Sequence, residues 1–366
     1  MTGSPSLVDW DLAARTARRL VRSGPEVTAD DAAQAVEQLL ELSDEAESHV
    51  RALTRLTPLG MTVPAVRVVD RADWIDINVG GMANLITPLA QRLVESQEKP
   101  SSALTVAIGS RVTGAQAGAV LSFVASRVLG QYEVFGTGGE LLLVAPNIVE
   151  TEQKLGVDPR DFRLWVCLHE VTHRLQFTAV PWLEEYLRDQ ITAFVEATDT
   201  SAEAIREQLG EVVRTVASAL KPIGSRGDDE GSGEGMLGLI KNPEQRAILD
   251  RMTALMSLIE GHAEYVMDEV GPDVVPSVAA IRKRFNQRRK GRGPLDRILR
   301  RLLGLEAKML QYAQGRHFVS GVVDDVGVDG FNAVWAGPES LPSMEELLDP
   351  AVWVARVHGP RSALSS

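Results

Sequence analysis

The chain has 366 residues, 44% of them hydrophobic, and carries 38 Lys and Arg against 50 Asp and Glu, a formal net charge of −12. That length buries a substantial core as one large or two modest domains, and the acidity excludes general attraction to nucleic acid or an anionic membrane. The single cysteine, Cys167, excludes an internal disulfide and a thiolate-built structural metal site. No apolar run approaches the roughly 18 residues of a membrane span, and residues 1–24 read as an amphipathic helix instead of a signal peptide, so cytoplasmic residence is expected.

Aromatic residues are only 5% of the chain and Ala and Leu are abundant, which favours helices. Val8 to Ser23 and Thr28 to Leu56 read as the first two helices, the second opening on the acidic turn Thr28-Ala29-Asp30-Asp31. Further helices are expected over Asp73 to Gln97 and Gly114 to Leu129, with short strands at Pro64 to Val69 and Leu104 to Ile108. Gly136-Thr137-Gly138-Gly139 then turns the chain into the clearest strand, Glu140 to Pro146, stopped by its proline. The fold class expected is mainly α (α+β), a helical scaffold with a small sheet before the helix described next. The division expected is a mostly helical region over residues 1–130 and a region over 131–366 that holds the chemistry, with one integrated domain as the alternative.

The most informative stretch is His169-Glu170-Val171-Thr172-His173, the pattern H-E-x-x-H. Asp158 before Pro159 is an N-cap followed by a proline at the first helical position, so the helix starts there and should end before Pro181. Phe162, Val166, His169, His173 and Phe177 recur at helical steps, placing both histidines on the inward stripe. Two imidazoles four apart on one helical face can bind a single zinc ion, and the intervening Glu170 can act as general base toward a zinc-bound water. The competing reading is a pair of core histidines satisfied by backbone or carboxylate partners. Cys167, two positions earlier, falls on another side of the helix as a small core residue.

A catalytic zinc wants a third protein ligand. A second helical stretch, beginning near Asn242-Pro243, offers Glu260 and Glu264 four residues apart, one able to ligate and the other to orient a histidine. At these residues the chain resembles the gluzincins, zinc peptidases with two histidines from H-E-x-x-H and a downstream glutamate on a second helix. Ile259-Glu260-Gly261-His262-Ala263-Glu264-Tyr265 is similar to the ligand stretch of one aminopeptidase branch, which implies Glu260 as the ligand. The pattern Glu-x-x-x-Asp of other gluzincins fits Glu264 and Asp268 instead, and the longer match favours Glu260. The 87 positions from His173 to Glu260 exceed the spacing in that branch. Val79-Gly80-Gly81-Met82-Ala83-Asn84 only superficially matches its substrate-terminus motif, lacking the glutamate. Over most of its length the chain resembles a bacterial family of zinc-metallopeptidase-like proteins of unassigned substrate, some associated with biosynthesis of a deazaflavin coenzyme. Asp70 to Ile75, Phe135 to Asn147, Asp161 to Trp182, Ile259 to Asp268 and Gln311 to Gly315 carry that likeness.

The function expected is therefore zinc-dependent hydrolysis of a peptide or protein substrate, with Zn2+ on His169, His173 and Glu260. Tyr265, Tyr312, Arg316 and His317 are candidates to stabilise the oxyanion. In gluzincins a strand before the zinc helix often rims the cleft and pairs with an extended substrate, and Glu140 to Pro146 reads equally as that strand or as a plain core strand after a glycine turn. The alternatives are a catalytically silent metal-binding interaction protein and a non-peptide amide hydrolase of coenzyme metabolism. No nucleic acid, membrane or other cofactor is expected. Residues 221–235 read as a solvated loop with a lid as the alternative. The ten Lys and Arg among residues 282–301 read as a helix face pairing with the chain's own acid, or as a surface for an acidic partner, phosphate or nucleic acid.

Overall fold

The computed structural model describes residues 7–60, 63–95, 103–136, 138–197, 242–289 and 305–359, with backbone alone at 90–95, 103–107, 288–289 and 305–313. The acidic loop, and the basic run beyond Arg289, lie outside the described residues. The fold is mainly helical with one small sheet, as composition implied. The chain divides into two compact units, Met1–Glu184 with Val266–Arg284 and Glu185–Tyr265 with Phe285–Ser366.

In the first unit, α1 (Trp10–Leu20) starts where the Asp9 carboxylate accepts the Leu12 N–H at 2.8 Å, and α2 (Ala29–Thr54) where Thr28 caps Asp31. Strand β1 (Val66–Val69) leads into α3 (Arg71–Glu95). The next helix, α4 (Ala103–Ala125), swallows the strand expected at Leu104 to Ile108 and ends four residues short of Leu129. A short run of β-branched and apolar residues has no period long enough to tell strand from buried helix, and here the helix wins. Gly114 and Gly118 let α1 cross α4 closely: a Cβ on either would come within 2.5 Å of the carbonyl oxygens of Asp9 and Ala13.

The sheet contains a strand not foreseen from sequence, β2 (Gly130–Glu133), and β3 (Glu140–Val144). Its order is β1-β3-β2, with β3 parallel to β1 and antiparallel to β2. The apolar run Leu141 to Val144 is completely buried because β3 is central. Helix α5 (Ala145–Leu155) follows at once, so Pro146 opens a helix and does not merely stop a strand.

One charged side chain ties these pieces together. Buried Arg71 donates from Nε to Asn147 Oδ1 at 2.7 Å, from Nη1 to the carbonyls of Arg22 and Ser23, and pairs with Glu150. Asn147 in turn donates to the carbonyls of Ala125 and Val128. The ends of α1 and α4 and the starts of α3 and α5 thus share one satisfied polar network.

Helix α6 (Pro159–Ala179) begins as expected, with Asp158 accepting the Asp161 N–H at 2.9 Å and Pro159 in the first turn. It packs against α2, β2 and β3 and is buried over most of its circumference. Its polar flanks are paired: Arg163 with Glu152, and Arg174 with Glu47 at 2.8 Å. Helix α7 (Trp182–Glu196) follows, and then α8 (Pro243–Glu269). After α9 (Gly271–Val274), α10 (Val278–Arg289) carries the start of the basic run. Arg282 pairs with Asp268, and Arg284 donates to the carbonyls of Leu155 and Gly156 at the end of α5. These two cations serve the protein's own acid and an open helix end.

The second unit is built on α11 (Leu305–Phe331), which packs against α12 (Met344–Leu348) and α13 (Pro350–His358). Ser343 and Glu346 form a capping box, Arg356 pairs with Glu346, and Trp353 donates to the Ser340 carbonyl. Where α8 meets α11 the backbones touch. A Cβ on Gly261 would lie 2.1 Å from the Gly315 carbonyl carbon, and one on Gly315 would lie 1.8 Å from the Ser257 carbonyl oxygen. Among the described residues no helix is long and apolar enough to cross a membrane.

Candidate metal centre

The centre begins with the four-residue spacing on α6. One helical turn brings His169 Nε2 and His173 Nε2 to 3.1 Å from each other, with the rings nearly perpendicular at 86°. Two nitrogens sharing a tetrahedral zinc at ordinary bond lengths stand roughly 3.3 Å apart. His173 is buried and its Nδ1 lies 2.9 Å from Gln176 Oε1, an atom that can only accept. In the tautomer that donates from Nδ1 to this oxygen, the Nε2 lone pair faces His169. A partner on the far ring nitrogen that fixes the tautomer is the usual support of a metal-binding histidine. His169 Nδ1 lies 3.2 Å from Met267 Sδ on α8, a much weaker acceptor.

Glu260 sits seven residues, two helical turns, before Met267, on the same face of α8. Ligand atoms of His169, His173 and Glu260 all lie within 4.8 Å of one another, the group among the described residues that could hold a metal ion. Two imidazoles and a carboxylate form a donor set that suits zinc. The alternative carboxylates are placed differently. Asp268 is held by Arg282 Nε at 2.9 Å, with that guanidinium 5.5 Å from the Trp165 ring, and Glu264 is half-buried one turn beyond Glu260.

Glu170 is 6% exposed and lies against β2. A Cβ on Gly130 would come within 2.6 Å of its Cγ and 2.7 Å of its Cδ. Gly130 and Gln176 carry no sequence motif; Gln176 could have been noticed only as a polar residue three places after the second histidine on a buried face. Cys167 is fully buried, with Ser43 Oγ 3.6 Å from its sulfur, and burial pushes its thiol up to about 12.

The remaining candidates are dispersed. Tyr265 is half-buried on α8, about 140° round the helix from Glu260. Arg316 and His317 are exposed on α11, and the Tyr312 side chain lies outside the described residues. His262, two positions after Glu260, is buried against the rings of Phe331 and Trp335 at 5.1 and 5.7 Å, anchoring the ligand-bearing helix. Of the Gly80-Gly81 pair only Gly81 has a packing role: a Cβ on it would come within 2.5 Å of Glu133 Oε1, whereas one on Gly80 would meet nothing within 4 Å. That carboxylate accepts the N–H of Phe135 and of Gly136, and burial holds it above its ordinary range. Glu133 alternates with Tyr132 along β2, and Tyr132 stacks on Phe177 of α6 at 5.6 Å, so Glu133 belongs to the sheet face turned from α6.

The strand assigned to the cleft rim needs correction. β3 has both of its edges taken by β1 and β2, leaving no backbone groups for an added strand. β1 and β2 are the edge strands, and β2 is the one that abuts Glu170.

The model of the zincin-like metallopeptidase family matches residues 8–354, and the chain belongs to that family. Among solved structures it is similar to a proposed hydrolase of novel fold from Chloroflexus aurantiacus. The two are 31% identical with a TM-score of 0.69, over 97% of this chain and 100% of the other. A search of the curated proteins gave no match.

Proposed function

We propose that the chain is a zinc-dependent peptidase whose metal is held by His169, His173 and Glu260 and whose general base is Glu170. The observation that carries the reading is the convergence of those three ligand atoms within 4.8 Å, with Glu170 on the same helical turn. Zinc bound there would supply a Lewis acid, lowering the pKa of water toward about 7 and polarising a carbonyl. The chain's own residues do the rest. Gln176 fixes the His173 tautomer, and Glu170, largely shielded from solvent, can take a proton and hand it to a leaving nitrogen. An extended substrate is supported by the edge position of β2 beside Glu170, where unpaired backbone groups can bind a peptide of varied sequence. The oxyanion role falls to whichever of Tyr265, Tyr312 and His317 lowers kcat on removal while zinc is retained.

The test is native purification, elemental analysis, and assay on a peptide library with and without chelator. One zinc per chain and chelator-sensitive cleavage are expected, and Glu170→Gln should keep the zinc while kcat falls by about 10² to 10⁴. A chain without stoichiometric zinc, or a Glu170→Gln variant as active as wild type, overturns the reading. Cleavage of non-peptide amides only would redirect it to a different substrate class.

A further inference from the structure

We infer that Gly130 is the positioning residue for Glu170: the absence of a side chain at the first position of β2 is what seats the base. The inference rests on the hydrolytic role proposed for Glu170. Gly130 does not have a positive φ, so its backbone could be adopted by any residue. Glycine in a strand lacks a side chain to pack and is otherwise unfavourable, so a reason for it must be sought in close approach. The approach is to Glu170. Carbon atoms in contact sit about 3.5 to 4.0 Å apart, whereas a Cβ here would be 2.6 Å from Cγ and 2.7 Å from Cδ of that side chain. The overlaps are with Cγ and with Cδ, the carboxyl carbon itself, so the bare Gly130 backbone leaves room for the carboxyl end of the side chain. Glu170 is enclosed on α6, and its neighbours Val171 and Thr172 are fully buried, leaving it little room to step aside. A second, smaller overlap, 2.9 Å to the Leu142 carbonyl oxygen, concerns the sheet alone.

The two contacts separate in a double-mutant cycle made on metal-free, chelated protein. Thermal melting of wild type, Gly130→Ala, Glu170→Ala and the double variant is compared. The substitution at Gly130 is expected to lower Tm by several degrees when Glu170 is present and by much less when residue 170 is alanine. The Leu142 overlap occurs in both backgrounds and cancels. A Gly130→Ala chain that fails to fold while the double variant folds is the same result in a stronger form. Equal losses in both backgrounds, or failure of both chains to fold, overturn the inference. In the zinc-loaded enzyme Gly130→Ala should reduce kcat at least tenfold with KM and zinc content unchanged, a split that general loosening does not produce. Unchanged kcat despite the melting coupling also overturns it. Failure of the wild type to cleave anything counts against the hydrolytic reading instead, and the metal-free cycle then still decides whether Gly130 seats Glu170.

Discussion

Gln176→Leu removes the acceptor 2.9 Å from His173 Nδ1, and its cost can be worked from the geometry. The Gln176 side chain is fully buried and its Oε1 stands 2.9 Å from Nδ1, so no solvent molecule takes over when the amide is lost. The imidazole loses the acceptor for its Nδ1–H, or turns to the other tautomer and places its proton where the metal should be. Partners of this kind are worth 10- to 100-fold in metal affinity, about 1.4 to 2.8 kcal/mol at 1.4 kcal/mol per decade. Zinc dissociation constants should be measured by competition with a chromophoric chelator. Melting of the metal-free proteins, run alongside, isolates the separate loss of about 1 to 3 kcal/mol expected from a buried unpaired donor. Gln176→Glu keeps an acceptor and makes it anionic, so zinc should bind it at least as tightly as wild type. If Gln176→Leu binds zinc within twofold of wild type, the hydrogen bond does not tune His173 and the reasoning fails.

Two further outcomes follow from packing. Gly315→Ala would force a methyl group to 1.8 Å from the Ser257 carbonyl, an overlap only helix separation can relieve. It should cost about 3 kcal/mol, the upper end for overpacking, and weaken zinc binding because Gly261, next to Glu260, is at the same crossing. Urea melts and zinc titration check both effects, and a stability loss with wild-type affinity would show that the crossing does not set Glu260. Cys167 should resist thiol reagents in the native state and react once per chain after denaturation, because it is completely enclosed. Rapid native labelling would contradict the close contact of α6 with α2.

Features encoded within one turn or one helix were legible in the sequence. H-E-x-x-H needs only the helical repeat to bring two ring nitrogens together, and Asp158-Pro159 needs only local capping to start that helix. Local patterns were less reliable where they lacked length. Leu104 to Ile108 reads as a strand because β-branched residues favour one, yet it lies in α4, while Gly130 to Glu133 has no apolar alternation and is nevertheless a strand. Partnership across the chain decided those outcomes: β2 exists because the backbone of β3 had an edge to pair.

The third ligand shows the same division. Sequence offered Glu260, Glu264 and Asp268 on one helix and could rank them only by likeness to other proteins. The structure separates them by neighbour, with Asp268 held by Arg282 and Glu260 grouped with the histidines. Two supports of the site, Gly130 and Gln176, escape sequence reading for a common reason. A missing side chain acquires meaning only from what fills its place, and a buried amide only from what it faces. The sequence by itself determined the histidine pair on one helical face, the glutamate between them and the helical character of the scaffold. Which carboxylate is grouped with the pair, which strand lies beside Glu170 and what packs on that side chain are long-range packing outcomes, decided by the tertiary structure.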